Sequence, residues 1–273
     1  MKKIVKLPSL SRVVAGSKAT LEMPLGPTYE RVIFTATASA GLDASDIQRI
    51  DVLMNGTSKM TFKNLQRLMD LNSFYNRDAD TVAATKIEFA VHFNRAELVD
   101  NLMRSAPGIG TKDLSTLHFE IDIASGAPAD IAITAHALVD PTQQTIGAFF
   151  NVKEYPFSSA VSGEVEVDKL LKGPFYAAIH LFKSDVSKVE VTANGAKIVE
   201  ATKGVLERIQ KGASPVKRAP VTGSATHIDF ITNGNLFDAI PTDGLQDWRL
   251  KMTLDTSGAV DVVSETLDTL TQA

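Results

Sequence analysis

The chain has 273 residues, with 28 Lys and Arg against 32 Asp and Glu, a net charge of −4, 44% hydrophobic and 22% charged residues; this length suits two compact domains, and this balance describes a folded chain without bulk attraction to nucleic acid, so no specific nucleic-acid recognition is expected. It contains no cysteine, which excludes disulfides, thiolate metal sites and cysteine nucleophiles. No apolar run reaches the roughly 18 residues that a membrane-crossing helix needs.

The first eight residues, Met1-Lys2-Lys3-Ile4-Val5-Lys6-Leu7-Pro8, carry the charge of a secretory signal without its apolar core, because Lys6 and Pro8 interrupt the run. Lys2, Lys3, Lys6 and Arg12 form a basic start without nearby acidic residues; a frayed terminus is its plain structural reading. Residues 47–56 alternate polar and apolar side chains and end in Asn55-Gly56, which predicts a strand entering a tight hairpin turn, since Asn and Gly accept the positive φ angles such turns require. Phe62, Leu65 and Leu68 are spaced to form one face of a short helix. Strand patterns return at residues 86–91, 117–122 and 131–135.

The polar, proline-marked stretch at residues 140–145 has the composition of a linker, and it divides the chain into residues 1–141 and 142–273. Beyond it the same series recurs in order. Residues 186–195 end in Asn194-Gly195, a helical face follows with Val199, Thr202, Leu206 and Ile209, and strand patterns occupy residues 227–231, 248–253 and 260–264. An ordered internal duplication implies two domains of similar plan. Their strands are short, rich in Val, Ile, Phe and Thr, and separated by turn formers, which favours antiparallel β sandwiches of the jelly-roll kind over a parallel α/β sheet.

An enzyme reading lacks its parts. The five histidines, His92, His118, His136, His180 and His227, include no closely spaced pair of the sort a metal-dependent cupin needs. Residues 108–112 have the wrong glycine-to-lysine spacing for a phosphate loop, no serine sits in a nucleophile elbow, and Asp51, Glu88 and Asp229 fall at strand positions expected to face solvent. Neither residues 76–80 nor residues 238–247 have the spacing of a calcium-binding loop. No catalytic or cofactor-binding residue and no required cofactor are therefore expected; calcium, if bound, belongs between chains where carboxylates pool.

Several strings carry a resemblance that runs through nearly the whole chain: Val14-Ala15-Gly16, Pro24-Leu25-Gly26-Pro27-Thr28-Tyr29-Glu30, Tyr176-Ala177-Ala178-Ile179-His180, Ile228-Asp229-Phe230 and Leu245-Gln246-Asp247-Trp248-Arg249-Leu250-Lys251. In this order they make the chain similar to the major capsid proteins of corticovirus-type bacteriophages, which are tailless, icosahedral and membrane-containing. The resemblance implies an all-β fold of two tandem eight-stranded antiparallel jelly rolls, each with a short flanking helix. It implies homotrimers of pseudo-hexagonal outline that build an icosahedral shell around an internal lipid membrane and a DNA genome. Neighbouring capsomers, vertex or penton proteins and membrane-associated virion proteins become the expected partners. The virion capsid becomes the location, after synthesis in the bacterial cytoplasm. Lys2, Lys3, Lys6 and Arg12 become candidates to face the membrane, where each basic residue close to an anionic surface contributes about 1 kcal/mol.

The alternative is a spike-type jelly-roll module that binds carbohydrate or a receptor. Sugar platforms usually present exposed Trp or Tyr, whereas this chain has one Trp and four Tyr, with Trp248 inside a strand pattern.

Overall fold

A computed structural model describes residues 2–77, 80–167, 170–214, 216–221 and 223–269. The first half forms two facing antiparallel sheets. One has the spatial order Lys3–Lys6, Ala132–Asp140, Thr28–Thr37 and Lys86–His92; the other runs Lys18–Glu22, Leu117–Ile123, Ile47–Met54 and Thr57–Phe62. The second half repeats the arrangement, with Phe149–Ser159, Gly258–Asp268, Phe175–Phe182 and Thr226–Asp229 in one sheet and Gly163–Val167, Trp248–Leu254, Val186–Ala193 and Ala196–Thr202 in the other. With each half's main strands counted in chain order, both give 1-8-3-6 and 2-7-4-5, the strand order of a jelly roll. Strict alternation makes this possible: Leu117–Ile123 and Trp248–Leu254 bury every second residue, so each sheet offers one apolar face to its partner.

The duplication extends to atomic detail. Asn55 and Gly56 have φ of 50° and 77°, and Asn194 and Gly195 have 47° and 78°. The Asn55 side-chain oxygen accepts the backbone N–H groups of Ser115 and Thr116, while that of Asn194 accepts those of Gln246 and Asp247. A second repeated device precedes the third strand of each roll. Gly26-Pro27-Thr28-Tyr29 and Gly173-Pro174-Phe175-Tyr176 are the same Gly-Pro-X-Tyr string, with glycine φ of 121° and 113°. Tyr29 donates its hydroxyl to the Pro24 carbonyl and Tyr176 to the Leu171 carbonyl. Thr111 and Thr242 each accept the N–H of the local glycine and donate to the carbonyl of the following proline.

Helix α1 (Leu65–Phe74) starts where Asn64 accepts the Arg67 N–H at 2.8 Å, satisfying an otherwise open helix donor. Helix α2 (Asn101–Ser105) is a short turn capped by Asp100. Helix α3 (Lys203–Lys211) follows Thr202, which makes no side-chain cap bond. The helices start later than the periodicity predicts: Phe62 and Val199 lie in strands and Thr202 is the cap residue. Each hairpin strand runs on, to Phe62 in the first roll and to Thr202 in the second, and the helix begins only after its cap residue, Asn64 or Thr202.

The basic start is built into the fold and is not a frayed end. Lys3–Lys6 pairs along Ala132–Asp140, with Lys3 opposite Val139 and Lys6 opposite His136, so the strand turns Ile4 and Lys6 to one face and Lys3 and Val5 to the other.

Candidate functional site

The two rolls meet along a continuous junction. The last strand of the first hairpin, Thr57–Phe62, runs parallel to Phe149–Ser159, with Val152 opposite Met60, and this joins the two halves in one nine-stranded sheet. The apolar cluster of the first roll continues into Phe149, Phe150, Val152, Ala177 and Val263 of the second. Two backbone bonds fasten the flanks, from Val99 N–H to the Gly234 carbonyl at 2.9 Å and from Ala219 N–H to the Phe74 carbonyl at 2.8 Å.

Charge is buried at this junction rather than kept at the surface. Arg67, on α1, reaches Asp261 at 2.9 Å and Glu154 at 3.4 Å and lies over the Phe182 ring at 3.3 Å, while Lys63 meets Asp261 at 2.9 Å. Deeper in, Arg95 pairs with Glu265 and with Glu97, and Arg77 meets Glu97 at 2.8 Å. Tyr75 donates its hydroxyl to Glu265 at 3.0 Å. Burial pushes the Glu97 carboxyl up, but Arg77 and Arg95 outweigh it and hold the group at about 2. The same opposition lets Arg95 hold Glu265 well below the usual carboxylate range. Arg218 and Asp229 form a further pair at 2.8 Å with no exposed side-chain surface; burial dominates there and raises the Asp229 pKa. Such pairs persist only when each charge has its counter-charge and hydrogen bonds in place, which fixes one relative placement of the rolls.

Two expectations from the sequence do not hold. Asp229 is buried against Arg218, and Asp51 is 5% exposed, held by Arg49, Ser58 and Thr61; only Glu88 is solvated, beside Lys86. His180 and His227, distant in sequence, form a close pair, Nδ1 to Nδ1 at 2.8 Å, because their strands are neighbours. Among the described residues no group of three or more His, Asp or Glu side chains could hold an ion. Of the oxygen-rich stretch at 76–80, Asp78 and Ala79 lie outside the described residues, and Asp80 is engaged by Asn72 and the Ala90 N–H.

The basic residues do not converge. Lys2 pairs with the buried Glu30 at 2.6 Å, Lys3 and Lys6 are exposed on an edge strand, and Arg12 lies past the strand with φ of 56°. Within residues 108–112, Gly110 packs against the linker. A Cβ on Gly110 would meet the Thr145 and Gln144 carbonyls, the latter at 2.6 Å, and Lys112 N–H donates to the Gln144 carbonyl.

Sequence reading missed the junction. Its one signal was the run Ser264-Glu265-Thr266, polar residues in a strand that buries all three.

Two rolls of identical strand order, locked together by a shared sheet, define the double jelly-roll class of viral capsid protein. The crystal structure of the STIV MCP covers the fold at a TM-score of 0.72 with 12% identity, over 98% of this chain and 96% of that one. The PBCV-1 virus capsid does so at 0.67 with 8% identity, over 98% and 93%. Residues 4–143 match the Viral coat protein P2 N-terminal domain and residues 149–270 the Viral coat protein P2 C-terminal domain; the chain belongs to the viral coat protein P2 family. It is similar to the major capsid protein P2 of Pseudoalteromonas phage PM2, with 25% identity over 280 residues, 97% of this chain and 96% of the relative. The crystal structure of that phage protein matches at a TM-score of 0.85 with 24% identity, covering 98% and 97%. This chain is thus a viral structural protein of the capsid, not an enzyme.

Proposed function

We propose that the chain assembles as a homotrimer of pseudo-hexagonal outline and that these trimers tile an icosahedral shell around an internal membrane and a DNA genome. The observation that carries this reading is the fixed pairing of two rolls with the same strand order. Three such chains present six similar sides, so one protein can occupy hexagonal positions while keeping threefold symmetry. The division into residues 1–141 and 142–273 belongs to the same reading: one roll's last strand ends at Asp140 and the next roll's first begins at Phe149.

In the shell the chain contacts itself, vertex or penton proteins and membrane-associated virion proteins, following synthesis in the bacterial cytoplasm. Lys2, Lys3, Lys6 and Arg12 face the membrane in this reading, supported by the exposure of Lys3, Lys6 and Arg12 and by the attraction of basic residues to anionic headgroups. Calcium, where bound, bridges carboxylates of neighbouring chains. Sedimentation of the purified protein at micromolar concentration tests the assembly: a trimer is expected, and a stable monomer under conditions that preserve virions contradicts it.

A further inference from the structure

The histidine pair lies where the second roll meets helix α1 of the first. His180, His227 and Glu265 stand on three neighbouring strands. Phe74 stacks on the His227 ring with centroids 4.2 Å apart, and both Phe74 and Tyr75 meet His180 edge-on. Both imidazoles are buried, at 0% and 2% exposure.

Its hydrogen bonds determine where the protons sit. His227 Nε2 accepts the Val221 N–H at 3.3 Å, so this nitrogen carries no proton and His227 bears its proton on Nδ1. That proton is donated to His180 Nδ1 at 2.8 Å. His180 then carries its proton on Nε2, which points at a Glu265 oxygen 3.6 Å away. Two rings hold two protons: the facing Nδ1 atoms and His227 Nε2 are hydrogen-bonded, while His180 Nε2 stands near Glu265 without a hydrogen bond. A third proton on His227 Nε2 would oppose the Val221 N–H; on the facing Nδ1 atoms it would set two N–H groups against each other.

Val221 ends the segment 216–221, which also carries the Ala219 bond to Phe74 and the Arg218 pair with Asp229. We infer that His180 and His227 form an acid-operated latch between the rolls: as two neutral rings they hold segment 216–221 against α1, and uptake of one further proton releases it. The surrounding charges are Glu265 on the adjacent strand, Asp229 with Arg218 beside it, Arg95 and Glu97 from the loop after Lys86–His92, Tyr75 at the end of α1, Arg77 beyond it, and Lys203 on α3. Burial, then the neighbouring His180, holds the His227 pKa well below its ordinary value.

The sign follows from proton uptake. A histidine whose value is lowered in the closed state favours closure fully above the ordinary value of about 6.5, and this preference is lost as pH falls below it. Where release takes up one proton, the opening equilibrium rises about tenfold for each pH unit below that point, until the closed-state value is reached.

The test is amide hydrogen exchange of the assembled protein between pH 8 and pH 5, corrected for intrinsic rates. Protection across 216–221 should fall about tenfold per unit below pH ~6.5, while the strand Ala132–Asp140 keeps its protection. His227→Gln, whose amide can accept from Val221 and donate to His180 without titrating, should abolish this dependence. If that variant does not fold, exchange of the wild-type imidazole C2 hydrogens decides, with His118 and His136 as references. Constant protection at 216–221, persistence of the effect in H227Q, or a His227 that titrates in the folded protein like the references would overturn the latch.

Discussion

Arg95 of the first roll and Glu265 of the second form an ion pair whose side chains are 4% and 2% exposed. The Arg95 guanidinium also covers the Phe150 ring at 3.6 Å. This contact spans the junction, so it couples the stability of each roll to the placement of the other.

Replacing Arg95 with Leu leaves Glu265 buried beside Tyr75 without its counter-charge. Urea unfolding should show a loss of about 3–5 kcal/mol, the cost typical of breaking one side of a buried pair. Arg95→Met combined with Glu265→Gln should lose markedly less, because no net charge then remains buried. Equal losses in the single and double variants would mean that packing, not charge, dominates the contact.

Asn55 and Asn194 give a paired experiment within one molecule. Each holds a left-handed backbone and accepts two N–H groups from the segment before the seventh strand of its roll. Alanine at either position removes the acceptor and strains the turn, so each variant should cost about 1–3 kcal/mol in chemical denaturation. The two values should be similar. A cost confined to one turn would show that the repeated geometry does not carry equal weight.

These turns were legible in sequence because Asn-Gly between alternating residues is a local signal. Two domains of similar plan were legible from the ordered repeat, and their short, β-branched strands favoured jelly rolls, as the family resemblance also implied; the spatial strand order was not legible. The buried charges were not. Asp229 and Asp51 occupy positions that alternation assigns to solvent, and only the approach of Arg218 in one case and of Arg49, Ser58 and Thr61 in the other makes their burial tolerable. His180 and His227 likewise become a pair only through strand pairing. The Gly-Pro-X-Tyr repeat is visible in the sequence; the threonines that complete it arrive from distant loops.

Gly110 is fixed by the linker that passes over it. Gly110→Ala places a methyl group against the carbonyls of Gln144 and Thr145, and thermal unfolding should report a loss of about 1–3 kcal/mol, as for other overpacked sites. Gly126, where an added methyl group would meet nothing within 4 Å, is the control, and Gly126→Ala should change stability much less.

Lys3 and Lys6 test the membrane-facing reading without disturbing the Lys2 pair to Glu30. Lys3→Glu with Lys6→Glu should weaken binding to vesicles containing anionic lipid, and the difference from wild type should shrink as salt is raised, because exposed charges are screened over about 10 Å at 0.1 M. Trimer formation should be unchanged. Equal vesicle binding by variant and wild type would contradict an electrostatic contact.

Two matched rolls would make one chain a third of a hexagonal tile, and cryo-electron microscopy of particles assembled from this protein tests that most directly. The expected result is a closed shell of capsomers with pseudo-hexagonal outline, three chains in each, and both rolls of every chain standing upright on the shell; single copies confined to vertices as spikes would contradict it.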